Sequence, residues 1–151
     1  MLIVYASMSG NSEFIAQAAA QALRDAALQP VDVQPADLAP LDTILNAGSV
    51  LFVLSTWGQG EPPADAEPLL HAINTAPADA LRPLRFAIIG LGDHRYPIFC
   101  GAAHLLADAL VAKSACQIAD PLLLDGVPVE QYADQVRQHV QALFTPQPAP
   151  A

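Results

Sequence analysis

Leu2-Ile3-Val4-Tyr5-Ala6-Ser7-Met8-Ser9-Gly10-Asn11-Ser12-Glu13-Phe14-Ile15 opens the chain with a short apolar run. The run passes through a polar, glycine-bearing turn into a segment of helical spacing. In that segment, Glu13 to Leu28, Ile15, Ala18, Ala19, Ala22, Leu23 and Ala26 recur on one face, and alanine is the best helix former. A buried strand feeding directly into a helix is the first half of a parallel crossover unit. The same alternation continues outward from it. Strands are predicted at Leu2 to Ala6, Val31 to Gln34, Val50 to Leu54, Phe86 to Gly90 and Gln117 to Leu124, with further helices at Leu41 to Ala47, Pro68 to Thr75, Gly101 to Ala115 and Val129 to Phe144. Pro68 is tolerated in the first turn of its helix, where no backbone N–H is needed. The first, third and fourth strands are nearly continuous apolar runs, as expected when helices cover both faces of a parallel sheet. The expected fold is an α/β, doubly wound three-layer sandwich on a five-stranded parallel sheet of order 2-1-3-4-5.

The chain has 151 residues, which suits one domain, placed at residues 1–144. Residues 145–151, Thr-Pro-Gln-Pro-Ala-Pro-Ala, are expected to form a disordered Pro/Ala tail. No internal repeat is evident. Fifteen acidic residues against six basic give a formal charge of -9, which excludes a nucleic-acid binder held by a basic patch. No apolar run reaches the 18 or so residues of a spanning helix, so no membrane partner is expected. Met1 runs straight into the first strand without a basic leader, and the expected compartment is the cytoplasm. Cys100 and Cys116 stand apart and form no metal-type pair, so no metal site is expected.

In an open parallel sheet, ligands bind beyond the carboxyl ends of the strands where the strand order reverses. The loops after strands one, three and four are therefore decisive. Ser7-Met8-Ser9-Gly10-Asn11-Ser12 opens a helix, offering backbone N–H groups, hydroxyls and an amide to an anion, with Gly10 allowing close backbone approach. It holds no Lys or Arg and matches neither the phosphoryl-transfer nor the dinucleotide glycine pattern, so it looks built to hold a phosphate rather than cleave one. Ser55-Thr56-Trp57-Gly58-Gln59-Gly60-Glu61-Pro62-Pro63 carries the only Trp among polar and glycine neighbours. Leu91-Gly92-Asp93-His94-Arg95-Tyr96-Pro97-Ile98-Phe99-Cys100-Gly101 brings a second aromatic ring to the same edge. Taken singly, the first loop could merely cap its helix and the Trp merely anchor its turn. Together the three loops describe a site for a planar heterocycle with a phosphate tail. A phospho-receiver domain would need acidic residues after strand one and an Asp after strand three, where Ser7 and Ser55 stand. A small phosphatase would need a Cys-x5-Arg loop after strand one.

These residues resemble the flavodoxins, and more closely the flavodoxin-like domains of diflavin reductases of the sulfite reductase and cytochrome P450 reductase kind. Ser7 to Ser12 is similar to the family's T-x-T-G-N-T phosphate loop with Ser for Thr. Thr56 to Pro63 resembles the second flavin loop and Gly90 to Cys100 the third. The resemblance implies non-covalent FMN, held by Ser7, Met8, Ser9, Gly10, Asn11 and Ser12 at its phosphate. Ser55, Thr56, Trp57, Gly58, Gln59 and Gly60 would form the second loop, and Leu91, Gly92, Asp93, His94, Arg95, Tyr96, Phe99 and Cys100 the third. The ring would lie between Trp57 and Tyr96, with Tyr96 on its outer face. Gly58 matches the glycine whose carbonyl turns toward flavin N5 on one-electron reduction, and Asp125 matches an Asp near the third loop. With no room after Asp125 for a long insertion, the chain resembles the short-chain type. His94 and Arg95 put potential positive charge where many flavodoxins are acidic, and the simplest expectation is that they face water. The implied function is electron transfer from a separate flavodoxin/ferredoxin-type NADP reductase to an acceptor redox enzyme, by a monomer that docks through charge. An FMN-dependent NAD(P)H quinone or nitro reductase, or a flavin-free interaction domain, would share the fold.

Overall fold

The computed structural model describes residues 1–7, 9–28, 30–57 and 59–144. The expectations placed on Met8, Gly58 and the tail at 145–151 lie outside these residues. Strands β1 (Leu2–Ala6), β2 (Asp32–Pro35), β3 (Ser49–Ser55) and β4 (Arg85–Gly92) run parallel in the order β2-β1-β3-β4. Two short strands, β5 (Cys116–Gln117) and β6 (Leu122–Asp125), both pair with β4 and occupy the fifth position in succession. The order 2-1-3-4-5 therefore holds, but the single strand expected at Gln117 to Leu124 is split. Ile118 still donates its N–H to the Phe86 carbonyl, after which the chain leaves the ladder through Asp120 and Pro121, a residue with no N–H to give. Pairing resumes where Leu122 meets Ile89.

Side chains alternate across the sheet and feed two apolar layers. Val50, Phe52 and Leu54 of β3 face one layer with helices α2 (Leu41–Ala47), α3 (Glu67–Thr75) and α4 (Gly101–Ala112). Leu51 and Val53 face the other with α1 (Asn11–Asp25) and α5 (Ala133–Phe144). This alternation is the period-two geometry of a strand, and it explains why these runs are apolar at every position. The small Ala16, Ala19 and Ala20 on the inner side of α1 are fully buried, letting the helix lie close on the sheet.

Three helices differ at their ends from the sequence reading. α1 stops at Asp25 rather than Leu28, because Ala27 adopts a left-handed φ of 55° and Leu28 N–H turns back to the Leu23 carbonyl. That closure normally falls to glycine, so nothing in the sequence announces it. α4 stops at Ala112, with Ser114 left-handed at φ 74°. The segment expected as one helix from Val129 begins as a 3-10 turn, Val129–Tyr132, before α5. Among the described residues, no helix is long and apolar enough to cross a membrane.

Candidate functional site

Because β1, β3 and β4 are parallel, the three loops that follow them open at one edge of the sheet. In the first loop, the backbone N–H groups of Ser9, Gly10 and Ser12 converge on a single oxygen, Ser7 Oγ, at 3.3, 2.8 and 3.4 Å. This concavity at the start of α1 is a built acceptor site, and the helix terminus adds favourable potential for negative charge. Gly10 sits at φ 85°, and a Cβ built on it meets nothing within 4 Å. The glycine is therefore favoured by its left-handed backbone, and the space where its Cβ would stand is open. Ser12 is wholly buried and shares a 2.7 Å hydrogen bond with Ser55 Oγ, so these two hydroxyls tie the first loop to the end of β3.

The second loop closes on itself around Trp57. Its carbonyl accepts from Gly60 and Glu61 N–H, and its own N–H donates to the Glu61 carbonyl. The indole Nε1 donates to the Pro62 carbonyl at 3.2 Å, which satisfies its one polar atom and leaves the ring 49% exposed. Thr56 Oγ1 accepts from Ala102 N–H at 3.1 Å, capping the first turn of α4 from 46 residues away. Gln59 is exposed, and Gly60 packs on Ile98 of the third loop.

In the third loop, Tyr96 is 52% exposed and donates its backbone N–H to the Asp93 carbonyl. Arg95 Nε lies 2.9 and 3.0 Å from the two Asp93 carboxylate oxygens, and its guanidinium holds that carboxyl down at about 2. This pair stays charged until the pH falls toward that value. His94 does not simply face water: its N–H donates to Asp125 Oδ1 at 2.9 Å and its ring Nδ1 lies 2.6 Å from Asp125 Oδ2. Phe99 and Cys100 stand behind the loop, Phe99 half-buried against the core and Cys100 fully buried at the start of α4. Burial, and secondarily the Asp125 charge, pushes the Cys100 thiol up to about 12, so it is an inert packing group.

The loops enclose a cleft of about 300 Å³ lined by Ser9, Asn11, Thr56, Trp57, Asp93 and Tyr96, among others. Polar groups lie at its phosphate-loop end and two half-exposed aromatic rings flank the rest. These residues fit a planar ring carrying an anionic tail. Gly126, Val127 and Val129 also line it, from the turn after β6. Sequence reasoning missed them, since a glycine and two valines carry no chemical signal; only their place after a strand end could have found them. Ser7, Gly10, Ser12, Gln59, Gly60, His94, Phe99, Cys100 and Asp125 are not among the lining residues. A larger hollow of about 520 Å³ lies among Met1, Leu23, Leu28 and Phe144, where the strands begin. Among the described residues it is lined by no titratable side chain, and the opposite edge is where parallel sheets bind ligands.

The second and third loops touch backbone to backbone: a Cβ on Gly101 would come 2.8 Å from the Gly60 carbonyl oxygen. Gly101→Ala should therefore push these loops apart and cost roughly 1–3 kcal/mol, read from urea unfolding midpoints. An unchanged midpoint would mean the loops have slack.

An open parallel sheet with a phosphate-type turn after its first strand and aromatic loops after its third and fourth defines a mononucleotide-binding α/β protein. The flavodoxin family model matches residues 3–139. The chain is 32% identical over 123 residues to the MioC homolog of Pasteurella multocida, covering 82% of this chain and 81% of that protein. It is 40% identical over 100 residues to the sulfite reductase (NADPH) flavoprotein alpha-component of Neisseria meningitidis, covering 66% of this chain but only 16% of that protein. The solved flavodoxin of Streptococcus pneumoniae TIGR4 superposes with a TM-score of 0.81 at 27% identity, over 94% of this chain and 95% of the other. The chain belongs to the flavodoxin family, FMN-binding proteins of electron transfer.

Proposed function

We propose that this protein takes electrons from a separate NADP-linked flavin reductase and passes them singly to an acceptor enzyme, docking as a monomer through the edge that carries the cleft. The distribution of charge along the strand axis carries this reading. Glu13, Asp37, Asp65, Glu67, Asp125 and Glu130 all belong to strand ends, to the turns after them or to helix first turns, on the cleft side. Arg95 is the one Lys or Arg of the three loops, and Asp93 already neutralises it. Arg24, Arg82, Arg85 and Lys113 fall at the other edge, where helices end and β4 begins. A basic face on each partner would meet the cleft edge first.

FMN supplies the redox chemistry, accepting and releasing electrons one or two at a time. The chain's part is to bind, orient and bias. The N–H groups of Ser9, Gly10 and Ser12, with the hydroxyls of Ser7 and Ser9, are suited to the phosphate, which would take over the donors now held by Ser7 Oγ. Trp57 and Tyr96 would bracket the ring, and their exposed rims leave one edge of the site open to a partner. Negative charge around that edge disfavours adding electrons and keeps the carrier a good donor. The Asp93–Arg95 pair moderates that effect, because it sets a cation against a carboxylate.

Reduction of the FMN-loaded protein by a flavodoxin reductase should slow by about tenfold or more as ionic strength rises from about 20 to about 500 mM, since steered encounters are screened. A rate independent of salt would sink the charge-guided encounter.

A further inference from the structure

Asp125 lies outside the cleft lining, yet both oxygens of its carboxylate are committed to the neighbouring loop. It is the last residue of β6, in register with Gly92 of β4, and the next residue's N–H, from Gly126, donates to the Gly92 carbonyl at 2.9 Å. Its own carbonyl accepts from the Tyr132 hydroxyl at the start of the last helical segment. With the backbone so fixed, the carboxylate presents both oxygens to one residue 31 positions away, taking the His94 N–H at 2.9 Å and the His94 ring Nδ1 at 2.6 Å. A carboxylate only accepts, so the ring must carry its proton on Nδ1. The remaining polar contacts within this loop are local ones: Arg95 and Tyr96 both bond to Asp93. His94 is thus the hydrogen-bonded side-chain tie from the Tyr96 loop to the rest of the described protein, beside the apolar contact of Ile98 with Gly60.

We propose that Asp125 is a positioning residue, acting through His94 as a clasp that fixes the Gly92–Tyr96 loop, and with it Tyr96, against the turn after β6. Because Gly126, Val127, Asp93, Arg95 and Tyr96 line the cleft on either side of the clasp, it sets the width of the cleft without touching what the cleft holds. The proposal rests on the FMN reading for its effect on binding, and on the loops alone for its effect on loop order. A bidentate tie between a carboxylate and two donors is among the stronger side-chain contacts available at a surface.

The test is a double-mutant cycle with Asp125→Ala and His94→Ala, read by FMN titration of the apoprotein and by amide hydrogen exchange of His94 without flavin. Each single change should weaken FMN binding by about tenfold, and the double variant should be no weaker than the worse single. Exchange at the His94 amide should quicken about tenfold or more in Asp125→Ala. Asp125→Asn, which keeps a carbonyl acceptor for that amide, should restore its protection and recover part of the affinity. If Asp125→Ala does not fold, His94→Ala, whose side chain is 73% exposed, carries the affinity measurement, and Asp125→Asn against Asp125→Ser carries the exchange measurement. Losses that add in the cycle, or a His94 amide indifferent to Asp125, overturn the clasp. A wild-type protein that takes up no FMN would overturn the cofactor reading instead, and the exchange measurement would still decide the clasp.

Discussion

Trp57→Ala combined with Tyr96→Ala should lower the affinity for FMN by about a thousandfold, with the protein still folded. Stacking of a heterocyclic base on an aromatic side chain is worth about 1–3 kcal/mol per ring by alanine substitution, so two rings supply roughly 4 kcal/mol. Both rings are about half exposed, at 49% and 52%, so neither is part of the core whose loss would unfold the chain. Trp57 Nε1 donates only to the Pro62 carbonyl of its own turn, and losing that exposed bond leaves no buried polar atom behind. Titration of the apoprotein followed by flavin fluorescence gives the number directly. An affinity within about threefold of wild type would show that the rings do not embrace the ligand, since a single stacked ring alone exceeds that.

Phe52→Ala should destabilise the fold by roughly 3–5 kcal/mol and lower Tm by roughly 10–15 °C. Phe52 is 1% exposed at the centre of β3, paired in register with Val4 on one side and Ile88 on the other. Its ring meets Phe86 edge to face, with centroids 6.3 Å apart and planes at 69°, an arrangement worth about 0.5–1.5 kcal/mol beyond burial. The cavity lies beneath the three strands that carry the site loops, so FMN should protect the variant less well than it protects the wild type. Urea or thermal denaturation with and without FMN reads both effects. A loss under about 1 kcal/mol would mean that the layer between β3 and α4 can collapse into the space.

The strand order was legible because both faces of β1, β3 and β4 are covered, which forces apolar residues at successive positions and makes the strands visible as runs. The end of α1 was not, because a left-handed alanine leaves no compositional trace, and the break in the fifth strand was carried only by Asp120 and Pro121 within an otherwise apolar run. In the site, the three loops stood out since polar and glycine residues directly after buried strands have few other reasons to be there. What joins the loops stayed hidden. Ser12 with Ser55, Thr56 with the start of α4, and His94 with Asp125 are contacts across 43, 46 and 31 residues. No local pattern encodes such pairs; they follow from parallel strands ending at one edge. The third loop shows the limit most plainly, for Arg95 stands two residues from the Asp93 that pairs with it, while the Asp125 that holds His94 lies 31 residues away.

The break between β5 and β6 has a consequence for solubility at high concentration. A long, flat outer strand would offer a row of free N–H and C=O groups on which a second chain could template itself, the first step toward fibrous aggregates. Here one margin of the sheet is interrupted by Asp120 and Pro121, and the other, β2, is four residues long, begins with Asp32 and ends with Pro35. Both margins are therefore poor seeds for intermolecular growth, and a strand-continuous version made by replacing Pro121 should be the more prone to precipitate.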